Sequence, residues 1–370
     1  MRTLSAILLT LCAITICIPA ALAQTSSPRP SAAELKHELD QAVPKWLVQY
    51  DVPSVAIGYI ENDKLAWTAV YGEQSPGVPA TDNTLYNIAS LTKPISAETI
   101  LRLASKGKLS LDEPISAYWV DPDVKDNPWN KLLTPRLCLS HQTGFTNWRY
   151  QTNDVLKFQW EPGTRTGYSG EGYEYVAHFT EKKTGHNFED LAAQYVFKPI
   201  GMKNTSFTPR DWYAGRLAVP RGPKDRKEPK PQTIWNAADL VHTTVSDYSK
   251  FVISVMRNQK LTKQIASERL TMTRDQVKPE DEKKVCALQK PDPANCKVSA
   301  GMGLGWEVEK HNDETIIDHD GSDWGFKSLA FFVPKRKIGV VIFTNGENGT
   351  KVIQEIVRVL YPDPVYVATL

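Results

Sequence analysis

Little in this sequence is lopsided. Lys and Arg number 44 against 42 Asp and Glu, a formal net charge of +2 over 370 residues, so the clustered basic face that nucleic acid requires is not expected. Sustained heptads and repeats with a period of about 20 to 50 residues are missing, which excludes coiled-coil and solenoid architectures. Long apolar runs are missing too, apart from Leu4 to Ile18 near the start. That run is shorter than the roughly 20 residues a membrane span needs, follows Arg2, and leads through Pro19 to Ala21-Leu22-Ala23 and Gln24. This is the pattern of a cleaved export signal over residues 1–23, with Ala23 the last residue removed. Neither Cys12 nor Cys17 follows a cleavage site, so lipidation and a stable membrane anchor are not expected, and residues 24–370 are assigned to the periplasm or the medium.

Cysteine is scarce. Residues 24–370 retain Cys138, Cys286 and Cys296, enough for a single disulfide in an oxidising compartment. Cys286 and Cys296 flank the polar, Pro-containing segment Ala287 to Asn295 and form the natural pair. Cys138, inside Leu137-Cys138-Leu139, is expected to be buried, with a reactive thiol as the alternative. His311, Asp318, His319 and Asp320 match no zinc spacing, so no metal and no other cofactor is assigned.

What is present is a chain of α+β character at 41% hydrophobic residues. Val55 to Ile60 and Leu65 to Tyr71 are expected to form a hairpin, and Ser328 to Val333 with Ile338 to Thr344 a second one near the other end. Glu34 to Tyr50 has helical spacing, and Val352, Ile353, Ile356, Val357 and Leu360 make one face of a final helix. Between them lie helical patterns, including Pro94 to Ala104, a helix opened by Asn187 and another by Ser246. The expected architecture is a sheet subdomain from residues 34–88 and 301–370 with a mainly helical subdomain from 89–300. Pro220 to Pro231 and Asn258 to Ala300 are expected to be loops.

The chemistry centres on Ser90-Leu91-Thr92-Lys93, which opens an apolar helical run. Serine at a helix start with lysine three residues on places both side chains on one face. The amine can take or relay the hydroxyl proton while the helix N-terminus favours developing negative charge. A second copy, Ser105 to Lys108, straddles Gly107, where a helix C-cap is the better explanation. Further along, Gly163 to Gly170 sets Tyr168 in a Gly-rich loop before a helix, and His319-Asp320-Gly321-Ser322 precedes the closing hairpin. Ser169 misses a nucleophile elbow because Glu171 stands where G-x-S-x-G needs glycine.

Together these three elements resemble the serine β-lactamase and penicillin-binding protein superfamily, in the branch of the class C β-lactamases, D-alanyl-D-alanine carboxypeptidases and related esterases. Gly107 to Pro114, Leu139 to Gly144, Lys198 to Met202 and Gly303 to Trp306 are similar to its accessory signatures. The resemblance implies a β-lactamase/transpeptidase-like fold. It also implies Ser90 as the acylated nucleophile, Lys93 as its proton partner and Tyr168 as the Y-x-N tyrosine. His319-Asp320-Gly321 would stand in the K-T-G place, and the N–H groups of Ser90 and Ser322 would form an oxyanion hole. Two departures stand out. Gly170 replaces the asparagine of Y-x-N, and Asp320 replaces the middle threonine, a position that in the family faces a substrate carboxylate. An aspartate there would repel an anion, so the expected substrate is a neutral or cationic ester, amide or peptide. β-Lactamase or D-alanyl-D-alanine carboxypeptidase action is the alternative. A catalytically inactive binding protein on the same fold is the reading from another class.

Overall fold

Val55 to Ile60 and Ile338 to Thr344 are apolar runs without polar alternation, and such strands are stable only where both faces of a sheet are covered. In the computed structural model, which describes residues 29–223, 232–288 and 296–370, they pair with each other at the sheet centre. β1 (Ser54–Glu61) runs antiparallel to β11 (Ile338–Thr344), from Val55 opposite Thr344 to Glu61 opposite Ile338. β2 (Lys64–Ser75) and β3 (Val78–Pro79) extend one side. β10 (Phe326–Val333), β9 (Glu314–Asp323), β8 (Glu307–His311) and β7 (Val298–Met302) extend the other, in the order β3-β2-β1-β11-β10-β9-β8-β7. The β1–β2 turn holds Asn62 and Asp63 at φ 52° and 59°, the two positive values that match the twist of a tight hairpin. A small second sheet joins β4 (Tyr86–Asn87), β5 (Thr205–Ser206) and β6 (His242–Thr243).

Helices cover both faces. α1 (Ala32–Tyr50), α10 (Gly349–Leu360) and α11 (Pro364–Thr369) pack on one, where α10 buries the five apolar residues expected of it, each worth about 1.5–3 kcal/mol when fully buried. The other face carries α2 (Thr92–Ser105), α3 (Pro135–Leu139), α4 (Gly170–Thr184), α5 (Phe188–Ala192), α6 (Lys198–Ile200) and α7 (Val245–Met256). Asn187 caps α5, accepting from the N–H groups of Glu189 and Asp190. α7 begins two residues earlier than expected, because Thr244 and not Ser246 is its N-cap, its side chain accepting from the Asp247 N–H. Ala32–Leu370 fold as one compact unit.

Asn258 to Ala300 is not the uniform loop that its polarity predicts. It contains α8 (Lys263–Arg269), α9 (Pro279–Cys286) and the start of β7, anchored by Arg269, whose guanidinium is fully buried against Glu98. Charged residues that look solvated in sequence are here interior partners. Cys286 and Cys296 are disulfide-bonded, and Cys138 is buried and free. The expected signal, residues 1–23, lies outside the described residues, as does part of Pro220 to Pro231. Among the described residues no helix is long and apolar enough to cross a membrane.

Candidate active site

Ser90 sits in a 3-10 turn, Ala89–Leu91, that runs directly into α2. Ala89 holds φ 47°, a left-handed conformation costing a non-glycine residue roughly 1–2 kcal/mol. The Asn87 side-chain carbonyl secures it by accepting from the Ala89 N–H at 2.8 Å. Lys93, one turn later and fully buried, donates to Ser90 Oγ at 2.9 Å and to the Ala238 carbonyl at 3.0 Å. Two further bonds tie α2 to the same segment: Ser96 Oγ donates to the Ala237 carbonyl and the Val241 N–H donates to Thr92 Oγ1. Burial pulls the Lys93 ammonium down to about 8, against the opposing pull of Asp239, Asp320 and Glu174.

Tyr168 comes from the loop before α4. Burial holds its pKa well above the usual phenol value, against the opposing effect of the nearby Ser90 hydroxyl, so it is a neutral donor and acceptor. The ring stacks on His141 with centroids 4.3 Å apart, and Lys93 Nζ lies 4.7 Å from its centroid. His141 is held in turn by the Ser169 N–H, which donates to Nδ1 at 2.9 Å. Burial and Lys93 keep this imidazole neutral. Ser169 itself is the α4 N-cap, accepting from Gly172 N–H, with its hydroxyl donated to the Thr146 carbonyl. It is occupied with structure.

Gly170 has a local cause. A Cβ built there would lie 2.6–2.8 Å from three ring carbons of Trp148, so the indole fills the volume into which a Y-x-N asparagine would project. Trp148 also stands 5.7 Å from Lys93 Nζ.

β9 supplies the opposite wall. His319 is buried, with Nδ1 at 2.6 Å from the Asp320 carbonyl. A carbonyl can only accept, so Nδ1 carries the proton and Nε2 is a bare acceptor, left without a hydrogen-bond partner. Burial and Lys93 push the His319 pKa down to about 3. At Gly321 a Cβ would stand 2.4 Å from the Ile88 carbonyl and 3.1 Å from the Ser90 nitrogen, so only glycine lets the strand backbone approach the Ser90 turn this closely.

Asp320 corrects the sequence expectation. Successive strand residues face opposite sides, and Asp320 lies with Glu307, Glu309 and Asp318 in a cavity bounded by Ile353 of α10 and Thr369 of α11, on the side away from His319. The acidic groups of the cleft are others. A cavity of about 610 Å³ beside Ser322 is lined by Trp148, Asp239, Asp323, Lys327 and Glu347 among others. Asp239 Oδ1 is buried without a hydrogen-bond partner, and burial, then Asp323, push the Asp239 carboxyl well above its ordinary range. Glu174, whose Oε1 accepts from the Ala237 N–H at 2.5 Å, is raised by burial to about 8. Trp148, Asp239, Asp323 and the Ala238 carbonyl were not found from sequence. They belong to no motif and come from three separate places in the chain, a turn at Trp148, the loop at Ala238 and Asp239, and the end of β9 at Asp323; only Gly170, as a missing side chain, pointed indirectly to Trp148.

The family model described as Beta-lactamase matches residues 33–359. Protein flp of Staphylococcus aureus (strain MW2) is 23% identical over 335 residues, covering 84% of this chain and 63% of that protein, so the chain spans less than two-thirds of this relative's length. Penicillin-binding protein 4 of Amycolatopsis lactamdurans is 21% identical, covering 84% of the chain and 86% of the relative. Among solved structures, the octameric penicillin-binding protein homologue from Pyrococcus abyssi superposes with a TM-score of 0.71 at 19% identity over 89% of this chain and 78% of that one. The D-alanine carboxypeptidase AmpC from Burkholderia cenocepacia gives 0.69 at 22% identity over 88% and 99%. These likenesses show the β-lactamase/transpeptidase fold.

Proposed function

Starting from a chain that belongs to the Beta-lactamase family, we propose that it is an exported serine hydrolase that cleaves an ester, amide or peptide through a Ser90 acyl-enzyme. The observation that carries this reading is the 2.9 Å contact between Lys93 Nζ and Ser90 Oγ, made by an amine whose pKa is brought down to about 8 by burial. At pH 7 roughly a tenth of such a lysine is neutral, against fewer than one in a thousand at its ordinary value. The neutral amine takes the Ser90 proton as Oγ attacks the carbonyl carbon. Negative charge on the former carbonyl oxygen is met by the N–H groups of Ser90 and Ser322, a pairing supported by the close approach of the β9 backbone at Gly321 to the Ser90 turn. Tyr168, a neutral phenol near Ser90, passes the proton on to the leaving group, which departs with it. Water then attacks the acyl carbon by the reverse relay and frees Ser90.

The substrate class follows from charge. Among the described residues, Asp323 and Glu347 with the buried Asp239 line the cavity beside Ser322 with Lys327 as the one cation, which favours a neutral or cationic acyl donor over one with a free carboxylate. Lys327, which donates to Ser322 Oγ at 3.0 Å, supports a second reading, because an ammonium beside the proposed oxyanion hole suits the carboxylate of a β-lactam or a D-alanyl peptide. Export rests on the signal pattern of residues 1–23 together with the disulfide.

The test is a substrate panel of a p-nitrophenyl ester, D-amino-acid amides, a D-Ala-D-Ala peptide and nitrocefin, beside labelling by a fluorescent phosphonate. Labelling and turnover of neutral or cationic substrates, lost in Ser90→Ala, are expected. Dominant nitrocefin or D-Ala-D-Ala turnover would establish the second reading. A parent protein that no probe labels would instead be a binding protein on this fold.

A further inference from the structure

Behind the catalytic strand lies a set of carboxylates that the hydrolase chemistry does not use. Alternation along β8 and β9 puts Glu307, Glu309, Asp318 and Asp320 on the face of the sheet away from His319, and antiparallel register sets Glu307 directly opposite Asp318. Oxygen atoms of Glu307, Glu309 and Asp318 all lie within 4.8 Å of one another. Glu309 and Asp318 are only 6% and 5% exposed. Compensation is thin. His311 Nε2 meets Glu309 at 2.8 Å, while Lys327, at the far end, is shared with Glu347 and Ser322.

A second observation points to a ligand. Tyr366 donates its hydroxyl to Asp318 Oδ2 at 3.1 Å, but Asp318 Oδ1 is buried with no hydrogen-bond partner, in a side chain that lines a cavity of about 230 Å³ with the other acids. A buried, unpaired carboxylate oxygen is costly, and three carboxylates this close repel one another unless positive charge is added. The ligand chemistry is specific. All three groups offer hard oxygen donors, and the nearest imidazole is engaged with Glu309, which disfavours zinc. Oxygens bound to one calcium ion at about 2.3–2.6 Å can be at most roughly 5 Å apart, the separation found here, and the cavity leaves room for waters to complete the shell.

We propose that Glu307, Glu309 and Asp318 form a calcium site on the sheet face opposite the cleft, with Asp320 at its rim. The sequence reading assigned no metal because spacing along the chain does not join β8 to β9; strand pairing does. The ion pins β9, whose other face carries His319 and Gly321, so its role is to hold the catalytic strand and not to enter the reaction.

The experiment is thermal unfolding and equilibrium dialysis of the full chain after treatment with EGTA, with CaCl2, MgCl2 or NaCl added at equal ionic strength. A saturable rise in Tm of about 5 °C at a hundredfold excess of calcium over its dissociation constant, with one ion bound per chain, is expected. Both signals disappear in Asp318→Asn and in Glu307→Gln, and the metal-free variants unfold no earlier than the parent because a repelling charge has gone. Glu307 is half-buried, so Glu307→Gln carries the test should Asp318→Asn not fold. No calcium shift beyond that of NaCl, a shift of equal size with MgCl2, or one that survives in the variants would overturn the site.

Discussion

Adding a side chain at position 170 tests how this site manages without the asparagine of its family. A Cβ there would meet Trp148 Cη2, Cζ2 and Cζ3 at 2.6, 2.7 and 2.8 Å, about 1 Å inside the separation at which carbon atoms attract. The indole is rigid and its backbone is held by Gln151, whose Oε1 accepts from the Trp148 N–H, so the clash is relieved by moving the ring and not a flexible tip. Overpacking of this kind costs about 1–3 kcal/mol. The displaced ring also disturbs Lys93, 5.7 Å away. Gly170→Ala is therefore expected to lower both Tm and kcat/KM, the latter by about tenfold, in ester hydrolysis. Trp148→Ala empties the same volume, so in the double variant the alanine at 170 meets nothing. A double-mutant cycle should give a favourable coupling of about 1–2 kcal/mol. Additive losses, agreeing within about 0.5 kcal/mol, would refute the account of Gly170 as room made for Trp148.

The pH profile of kcat/KM should rise about tenfold per unit and level off near pH 8, because attack needs the neutral form of Lys93 and burial lowers its pKa to about 8. His141 and His319 are both held neutral across this range, so a profile rising instead near 6.5 would contradict the assignment of the base. Glu98→Gln should lower Tm sharply, by about 3–5 kcal/mol of stability, since it strips the buried counter-charge from Arg102 and Arg269; calorimetry showing no change would count against it. Replacing Cys286 and Cys296 by serine should cost about 2–4 kcal/mol and leave kcat unaltered, because the bridge packs on Val298 and Val365 and not on the cleft. Loss of activity at a temperature where the variant is fully folded would be the contrary result.

The parts of the molecule legible in the sequence are those with local causes. Both hairpins and the α10 face follow from apolar periodicity, and α2 follows from the run after Ser90, each close to the observed bounds. The disulfide was legible because only one nearby pair existed. Long-range pairing was not. Arg269 and Glu98 lie 171 residues apart, and nothing in the polar stretch around Arg269 marks it as interior, so a segment with two helices and a buried guanidinium passed for loop. The acidic cleft residues were hidden in the same way, since Asp239 and Asp323 meet only through the fold.

Asp320 shows the sharper limit. Its place in the His319-Asp320-Gly321 motif implied that it would confront the substrate, yet on a strand one residue of register decides which side of the sheet a charge occupies. His319 and Gly321 share the side of Ser90, where a close backbone and a neutral imidazole are needed. Asp318 and Asp320 share the other, with Glu307 and Glu309. The proposed preference against anionic substrates therefore rests on Asp239, carried by a loop, and on Asp323, at the very end of β9 beyond the His319-Asp320-Gly321 stretch. Substitutions at Asp320 should accordingly leave the ranking of neutral, cationic and anionic substrates unchanged, whereas Asp239→Asn with Asp323→Asn should shift it toward anions. The opposite pattern would return Asp320 to the cleft.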